Sequence, residues 1–187
     1  MPGRPAARTR IADAVLEEIN DICDYGTLYA TLANPFECIT WLASRGLIAN
    51  SITCDSCGNP SRLSKYTQGI DGYRWNCPNC NLTKSLRHGS FFSRSHLSLR
   101  KLVLIMYMWS KRYPSRIIVE EIGIHRESVV DWRNFIRDLM VKWKDETAPQ
   151  LGGFEDNLEP LVVEIDESAF GRFGLIWYWF AVCILFF

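Results

Sequence analysis

Two pairs of cysteines place the strongest constraint on this chain: Cys54-Asp55-Ser56-Cys57 and, after nineteen residues, Cys77-Pro78-Asn79-Cys80. Two Cys-x-x-Cys pairs at this separation match the spacing of a four-thiolate zinc site, in which each pair forms a tight knuckle and the metal closes a tetrahedron. A knuckle needs a residue that tolerates positive φ directly after its second cysteine, so that backbone N–H groups turn toward the sulfurs. Gly58 and Asn81 stand at those two positions. The competing use of four cysteines is a pair of disulfides in a secreted domain. The first residues, Met1-Pro2-Gly3-Arg4-Pro5, have no apolar run behind them that would read as a signal peptide. The spacing therefore predicts a zinc ribbon over 52–92, with structural Zn2+ on Cys54, Cys57, Cys77 and Cys80. Cys23, Cys38 and Cys183 stand alone and are expected as small core residues.

Hydrophobic residues make up 48% of the chain and aromatic residues 13%, enough for a folded core around the ribbon. Residues 1–10 read as a flexible arm. Ile11, Val15, Ile19 and Ile22 recur at helical spacing and predict an amphipathic helix to about Cys23. Asn34 as N-cap, Pro35 at the first helical position and Glu37 three residues after the cap predict a second helix that stops at Gly46, completing a helical pair over 11–51. Within Leu97–Arg112 the run Leu102 to Trp109 is apolar on every face. That predicts a buried helix, since a membrane span needs ~20 such residues. Tyr113-Pro114-Ser115 then breaks it. A short helix bearing Ile117, Ile118, Val119 and Ile122, a tight turn at Gly123-Ile124-His125, and a longer helix over Arg126–Lys144 follow the grammar of a helix-turn-helix. Residues 97–144 thus read as one helical unit.

Formal net charge is zero, which does not by itself suggest a nucleic-acid binder. The average hides an asymmetry, because between Arg62 and Arg116 the acidic residue is Asp71 alone, set among Arg62, Lys65, Arg74, Lys84, Arg87, Arg94, Arg100, Lys101, Lys111, Arg112 and Arg116. A central basic block of this kind is the footprint expected of a polyanion-binding surface, with a merely solvated charge cluster as the alternative. On the long helix Arg126, Arg133 and Arg137 fall at offsets of seven and eleven, close to one side of the cylinder, where they would reach a major groove. Asp131 and Asp138 could instead pair with them. Arg74, Lys84, Arg87, Arg126, Arg133 and Arg137 are the expected contacts to double-stranded DNA.

Residues 145–160 are polar, hold Pro149, Gly152 and Gly153, and read as a linker. The run Leu161-Val162-Val163-Glu164-Ile165-Asp166-Glu167 predicts a strand that ends in carboxylates, the way metal-dependent phosphoryl-transfer sites place a first ligand. Phe173 to Phe187 is uncharged; as a helix its fifteen residues would cover ~22 Å, short of the ~30 Å hydrocarbon core. A membrane partner is not expected.

Several motifs in this order resemble the Merlin-type transposases and their bacterial insertion-sequence relatives: the ribbon itself, Asp71-Gly72-Tyr73-Arg74-Trp75-Asn76-Cys77, Arg87-His88-Gly89-Ser90-Phe91-Phe92, Val129-Val130-Asp131-Trp132-Arg133-Asn134-Phe135, and Val163-Glu164-Ile165-Asp166-Glu167-Ser168-Ala169-Phe170-Gly171. The resemblance implies an α+β chain. A helical N-terminal part with a zinc ribbon and a helix-turn-helix would precede the first strand of an RNase H-like catalytic domain, over 161–187. It implies that Asp166 is the first of three carboxylates that hold Mg2+ or Mn2+ for DNA strand transfer. A lysine commonly stands in the family where this chain has Ala169, and no Asp or Glu follows Glu167. The expected function is therefore that of a transposase remnant that binds transposon ends, as a possible homodimer, in the nucleus of a eukaryotic host. The alternatives are a protein-interaction ribbon, and a transposase that is active only when the missing carboxylates are supplied from elsewhere.

Overall fold

The computed structural model describes residues 8–13, 24–147, 153–154 and 160–161. Among them the chain is α+β, with five helices and a small antiparallel sheet. Helix α1 spans Tyr25–Thr31 and α2 Pro35–Ser44; strands β1 (Arg62–Lys65), β2 (Tyr73–Asn76) and β3 (Thr83–Ser85) follow. Helices α3 (Leu99–Ser110), α4 (Ser115–Ile122) and α5 (Arg126–Thr147) come next. The two-residue strands β4 (Gly153–Phe154) and β5 (Pro160–Leu161) pair with each other, β4 within the stretch read as a linker and β5 across its end. The apolar periodicity of residues 14–23 and the strand expected to carry Asp166 lie outside the described residues.

Local chemistry sets the helix boundaries. The Asn34 side chain accepts from the N–H of Phe36 at 2.8 Å and of Glu37 at 3.4 Å, and Pro35, which has no N–H to satisfy, opens α2. Gly46, at φ 69°, lies just past its end. Helix α1 is unexpected from the sequence. Its signal is Asp24, whose carboxylate accepts from both the N–H and the hydroxyl of Thr27, and Gly26 in the first turn obscures it.

The core is organised on α3. Leu102, Ile105 and Met108 are fully enclosed, and Leu99, Val103, Leu104 and Met106 are buried with them, as the all-round apolar pattern requires. Each such side chain contributes about 1.5–3 kcal/mol of burial free energy. Ser98 caps the helix by accepting from the Lys101 N–H. Helices α2, α4 and α5 pack on α3, bringing Ile39 and Leu42, Ile118 and Ile122, and Val129, Trp132 and Ile136 into one cluster. Phe92 and Leu86 enter the same cluster from the end of the ribbon, and Trp75 from β2. Ribbon and helices therefore share a core.

The start of the described chain is tied to this body, which corrects the reading of residues 8–10 as a loose arm. The Arg8 carbonyl accepts from the Leu63 N–H at 2.8 Å, and its guanidinium lies over the Phe36 ring at 4.9 Å. Ile11 and Ala12 are buried, and the Asn50 amide accepts from both of their N–H groups while donating to the Ala12 carbonyl. Residues 11–13 form a bend there, not the first turn of a helix.

Candidate metal centre and basic surface

The two Cys-x-x-Cys segments fold into near-identical turns. In the first, the Cys54 N–H donates to the Asn59 carbonyl at 2.9 Å and the Gly58 N–H to the Cys54 carbonyl at 2.9 Å. In the second, the Cys77 N–H donates to the Leu82 carbonyl at 2.8 Å and the Asn81 N–H to the Cys77 carbonyl at 3.0 Å. Gly58 at φ 67° and Asn81 at φ 55° take the left-handed conformation that their positions called for. Strand β2 pairs with β1 from Arg62↔Asn76 to Lys65↔Tyr73 and with β3 from Arg74↔Ser85 to Asn76↔Thr83. That register brings the second knuckle, at the end of β2, back against the first.

As a result the sulfurs of Cys54, Cys57, Cys77 and Cys80 all lie within 4.8 Å of one another, a group that can hold a metal ion. A tetrahedron of thiolates at the Zn–S length of ~2.3 Å has edges of ~3.8 Å, so the donor set fits. Cys54 and Cys77 are buried, Cys80 is half-buried and Cys57 exposed. Asn59, a site residue unexpected from the sequence, bonds to Cys57 through its backbone and its side-chain amide; together these lower the Cys57 thiol to about 6. The neighbouring Cys57 in turn pushes the Cys80 thiol up to about 12. Asp55 on the first knuckle bridges to Lys84 on β3 at 2.5 Å, joining the two halves of the site from outside. Cys38 stands apart in the helical core, where burial pushes its thiol to about 12. Cys23 and Cys183 lie outside the described residues.

The basic block is not the bare positive surface that its sequence suggests. Arg87, expected as a DNA contact, is 4% exposed. Its Nε and Nη2 donate to the two oxygens of Asp71 at 2.6 and 2.7 Å, and its remaining bonds go to the carbonyls of Ser95 and Leu97. Asp71 also accepts from the Leu99 N–H, at the start of α3. The one acid in a basic stretch is the available clue to this pair. Lys84 is held by Asp55, Arg116 reaches Glu120, and Lys101 donates to the Gly123 carbonyl. Arg74 lies over the Tyr66 ring, Arg100 over Tyr29 and Lys111 over Tyr107.

The three arginines of α5 remain on the surface side. Arg133 is half-buried and donates to the Ser115 hydroxyl at 2.9 Å, which locks α5 to the start of α4; Arg137 donates to the Asn134 amide oxygen. Neither pairs with Asp131 or Asp138, and among the described residues Arg126 has no ion pair. At 100° per residue Arg126, Arg133, Arg137 and Lys144 form one stripe, about a quarter turn from Val129, Trp132 and Ile136. Glu127, Asp131 and Asp138 fall about a third of a turn away on the other side. Lys144 joins the stripe without having been singled out from the sequence, although its offset of eighteen from Arg126 is five full turns. The α4–α5 turn is closed by Gly123 at φ 64°, whose N–H donates to the Val119 carbonyl.

No protein-family model, curated protein or solved structure matches this chain.

Proposed function

We propose that this chain is a zinc-stabilised DNA-binding module of transposase type, in which Cys54, Cys57, Cys77 and Cys80 carry structural Zn2+ and α4–Gly123–α5 acts as a helix-turn-helix. The carrying observation is the segregation of charge along α5. Arg126, Arg133, Arg137 and Lys144 share a stripe from which the helix's acidic residues are displaced, next to the short helix and glycine turn that such a reader requires. The zinc holds the ribbon, and through the shared core the ribbon supports α3 and the α4–α5 unit. The ligand is double-stranded DNA, such as a transposon end, bound mainly through its phosphates; a homodimer would read two half-sites.

The test is anisotropy titration of a labelled duplex with zinc-loaded chain over a range of salt. Binding should weaken steeply with salt. The slope of log K against log salt should fall by about one in Arg126→Ala and by about one in Arg137→Ala, since each substitution deletes a cation that neutralises a phosphate. A zinc-loaded chain without DNA affinity at low salt overturns the reading. Strand cleavage would require Asp166 and two further carboxylates around Mg2+ or Mn2+; a nicking assay with either ion tests that separately.

A second reading, a protein-interaction ribbon, draws on one observation. A groove of about 460 Å³ between α5 and the ribbon's end is lined by Leu47, Phe91, Phe92, Ile136, Leu139 and Met140, with Phe91 substantially exposed. DNA affinity unchanged by the α5 arginine substitutions would favour that reading.

A further inference from the structure

A cleft of about 320 Å³ lies between the outer face of the ribbon sheet and the loop that follows it, lined among others by Tyr66, Arg74, Ser85, Ser93 and Ser95. The Arg74 guanidinium is laid over the Tyr66 ring at 4.4 Å. Gly69 passes close beside that ring, where an added Cβ would sit 2.7 Å from Tyr66 Cδ1. Arg74 Nε is shielded from solvent and has no hydrogen-bond partner among the described residues. An unmet buried donor costs about 1–3 kcal/mol, a cost that an acceptor in the cleft would relieve once the guanidinium turns to meet it.

The carboxylate that lines the cleft does not supply that acceptor. Asp71, which also borders the cleft, is consumed by Arg87 and the Leu99 N–H, and its charge is cancelled there. The hydroxyls at the rim are left with protons to give. Ser85 Oγ accepts from the Arg87 N–H at 3.2 Å and Ser95 Oγ from the Leu97 N–H at 3.1 Å, so each O–H can point outward as a donor. One uncompensated guanidinium beside two donating hydroxyls selects for an anion with several acceptor oxygens.

We infer that this cleft is an oxyanion site that takes a phosphate group, with Arg74 as the charged anchor, Tyr66 as its platform, and Ser85 and Ser95 as hydroxyl donors. It deepens the DNA reading, and rests on it only for the source of the phosphate: a backbone diester gripped by the ribbon while α5 occupies the groove. Free phosphate would satisfy the same chemistry.

The experiment uses the full zinc-loaded chain, Arg74→Gln, and Ser85→Ala/Ser95→Ala, each checked for zinc content and circular dichroism. Inorganic phosphate is titrated by calorimetry, and a short DNA duplex by anisotropy over a salt series. The wild type should bind phosphate, Arg74→Gln about tenfold or more weakly, and the DNA salt slope should drop by about one in Arg74→Gln. The serine variant, which keeps the charge, should weaken phosphate binding on its own. Phosphate binding without any DNA affinity keeps the site, assigns it to free phosphate and sinks the DNA reading. Equal phosphate affinity in wild type and Arg74→Gln, or no phosphate binding together with an unchanged DNA slope in Arg74→Gln, overturns the site; intact DNA affinity in that case leaves the DNA reading standing.

Discussion

Arg87 and Asp71, sixteen residues apart in the chain, meet fork to fork inside the protein, with Nε to Oδ2 at 2.6 Å and Nη2 to Oδ1 at 2.7 Å. Their side chains are 5% and 9% exposed. The pair fastens the loop before β2 to the segment after β3 and, through the Leu99 N–H, to the first turn of α3. Removing one member leaves the other charged and buried. Arg87→Ala or Asp71→Ala should therefore lose about 3–5 kcal/mol in urea denaturation of the zinc-loaded protein. Arg87→Lys should recover little, because an ammonium cannot make the paired contact. A loss below about 1 kcal/mol would show that the pair is not a structural joint.

The two knuckles differ in one informative respect. Position 58 is glycine at φ 67° and position 81 is asparagine at φ 55°, in the same hydrogen-bonding role. Gly58→Ala imposes a left-handed cost of about 1–2 kcal/mol on the site, so its zinc affinity should fall about tenfold in competition with a chromophoric chelator. Asn81→Gly removes the same strain and should bind zinc at least as tightly as wild type. Equal affinities in all three proteins would count against the positive-φ requirement.

Thiol chemistry separates the clustered cysteines from the core one. In metal-free protein the exposed Cys57, lowered to about 6 by Asn59, is thiolate at pH 7 and should be alkylated first by iodoacetamide. As the pH drops through about 6 the thiol is protonated and its labelling slows. Cys38, buried and raised to about 12, should resist labelling at either pH. Zinc should protect the four ligands and leave Cys38 unaffected. Peptide mass spectrometry distinguishes these sites, and labelling of Cys38 ahead of Cys57 would contradict the arrangement.

Asn50 is the polar clasp on the first described residues, accepting from the Ile11 and Ala12 N–H groups at 3.1 and 2.7 Å. Asn50→Ala leaves the Ile11 N–H on the Asn50 backbone carbonyl at 3.0 Å but strips the Ala12 N–H and carbonyl of their side-chain partner, and should cost about 1–3 kcal/mol. Hydrogen exchange at Ala12 should accelerate selectively, more than at Ile11. Unchanged protection at Ala12 would mean that burial of Ile11 and its backbone bond to the Asn50 carbonyl hold the segment without the amide.

The sequence alone determined whatever depends on neighbours in the chain. A Cys-x-x-Cys turn is closed by hydrogen bonds within six residues, so the knuckles and the positive φ at Gly58 and Asn81 could be read directly. The Asn34-Pro35 start of α2, the buried run of α3 and the turn at Gly123 are local in the same sense. Only the tertiary structure decided where the charges point. Arg87 became an interior joint because the β2–β3 register sets Asp71 beside it. Lys84 is neutralised by Asp55, which sits outside the basic block altogether, and the orientation of Arg74 is set by Tyr66 on a neighbouring stretch. A cation's role follows from the groups within a few ångströms of it. Folding, not chain order, brings those groups together.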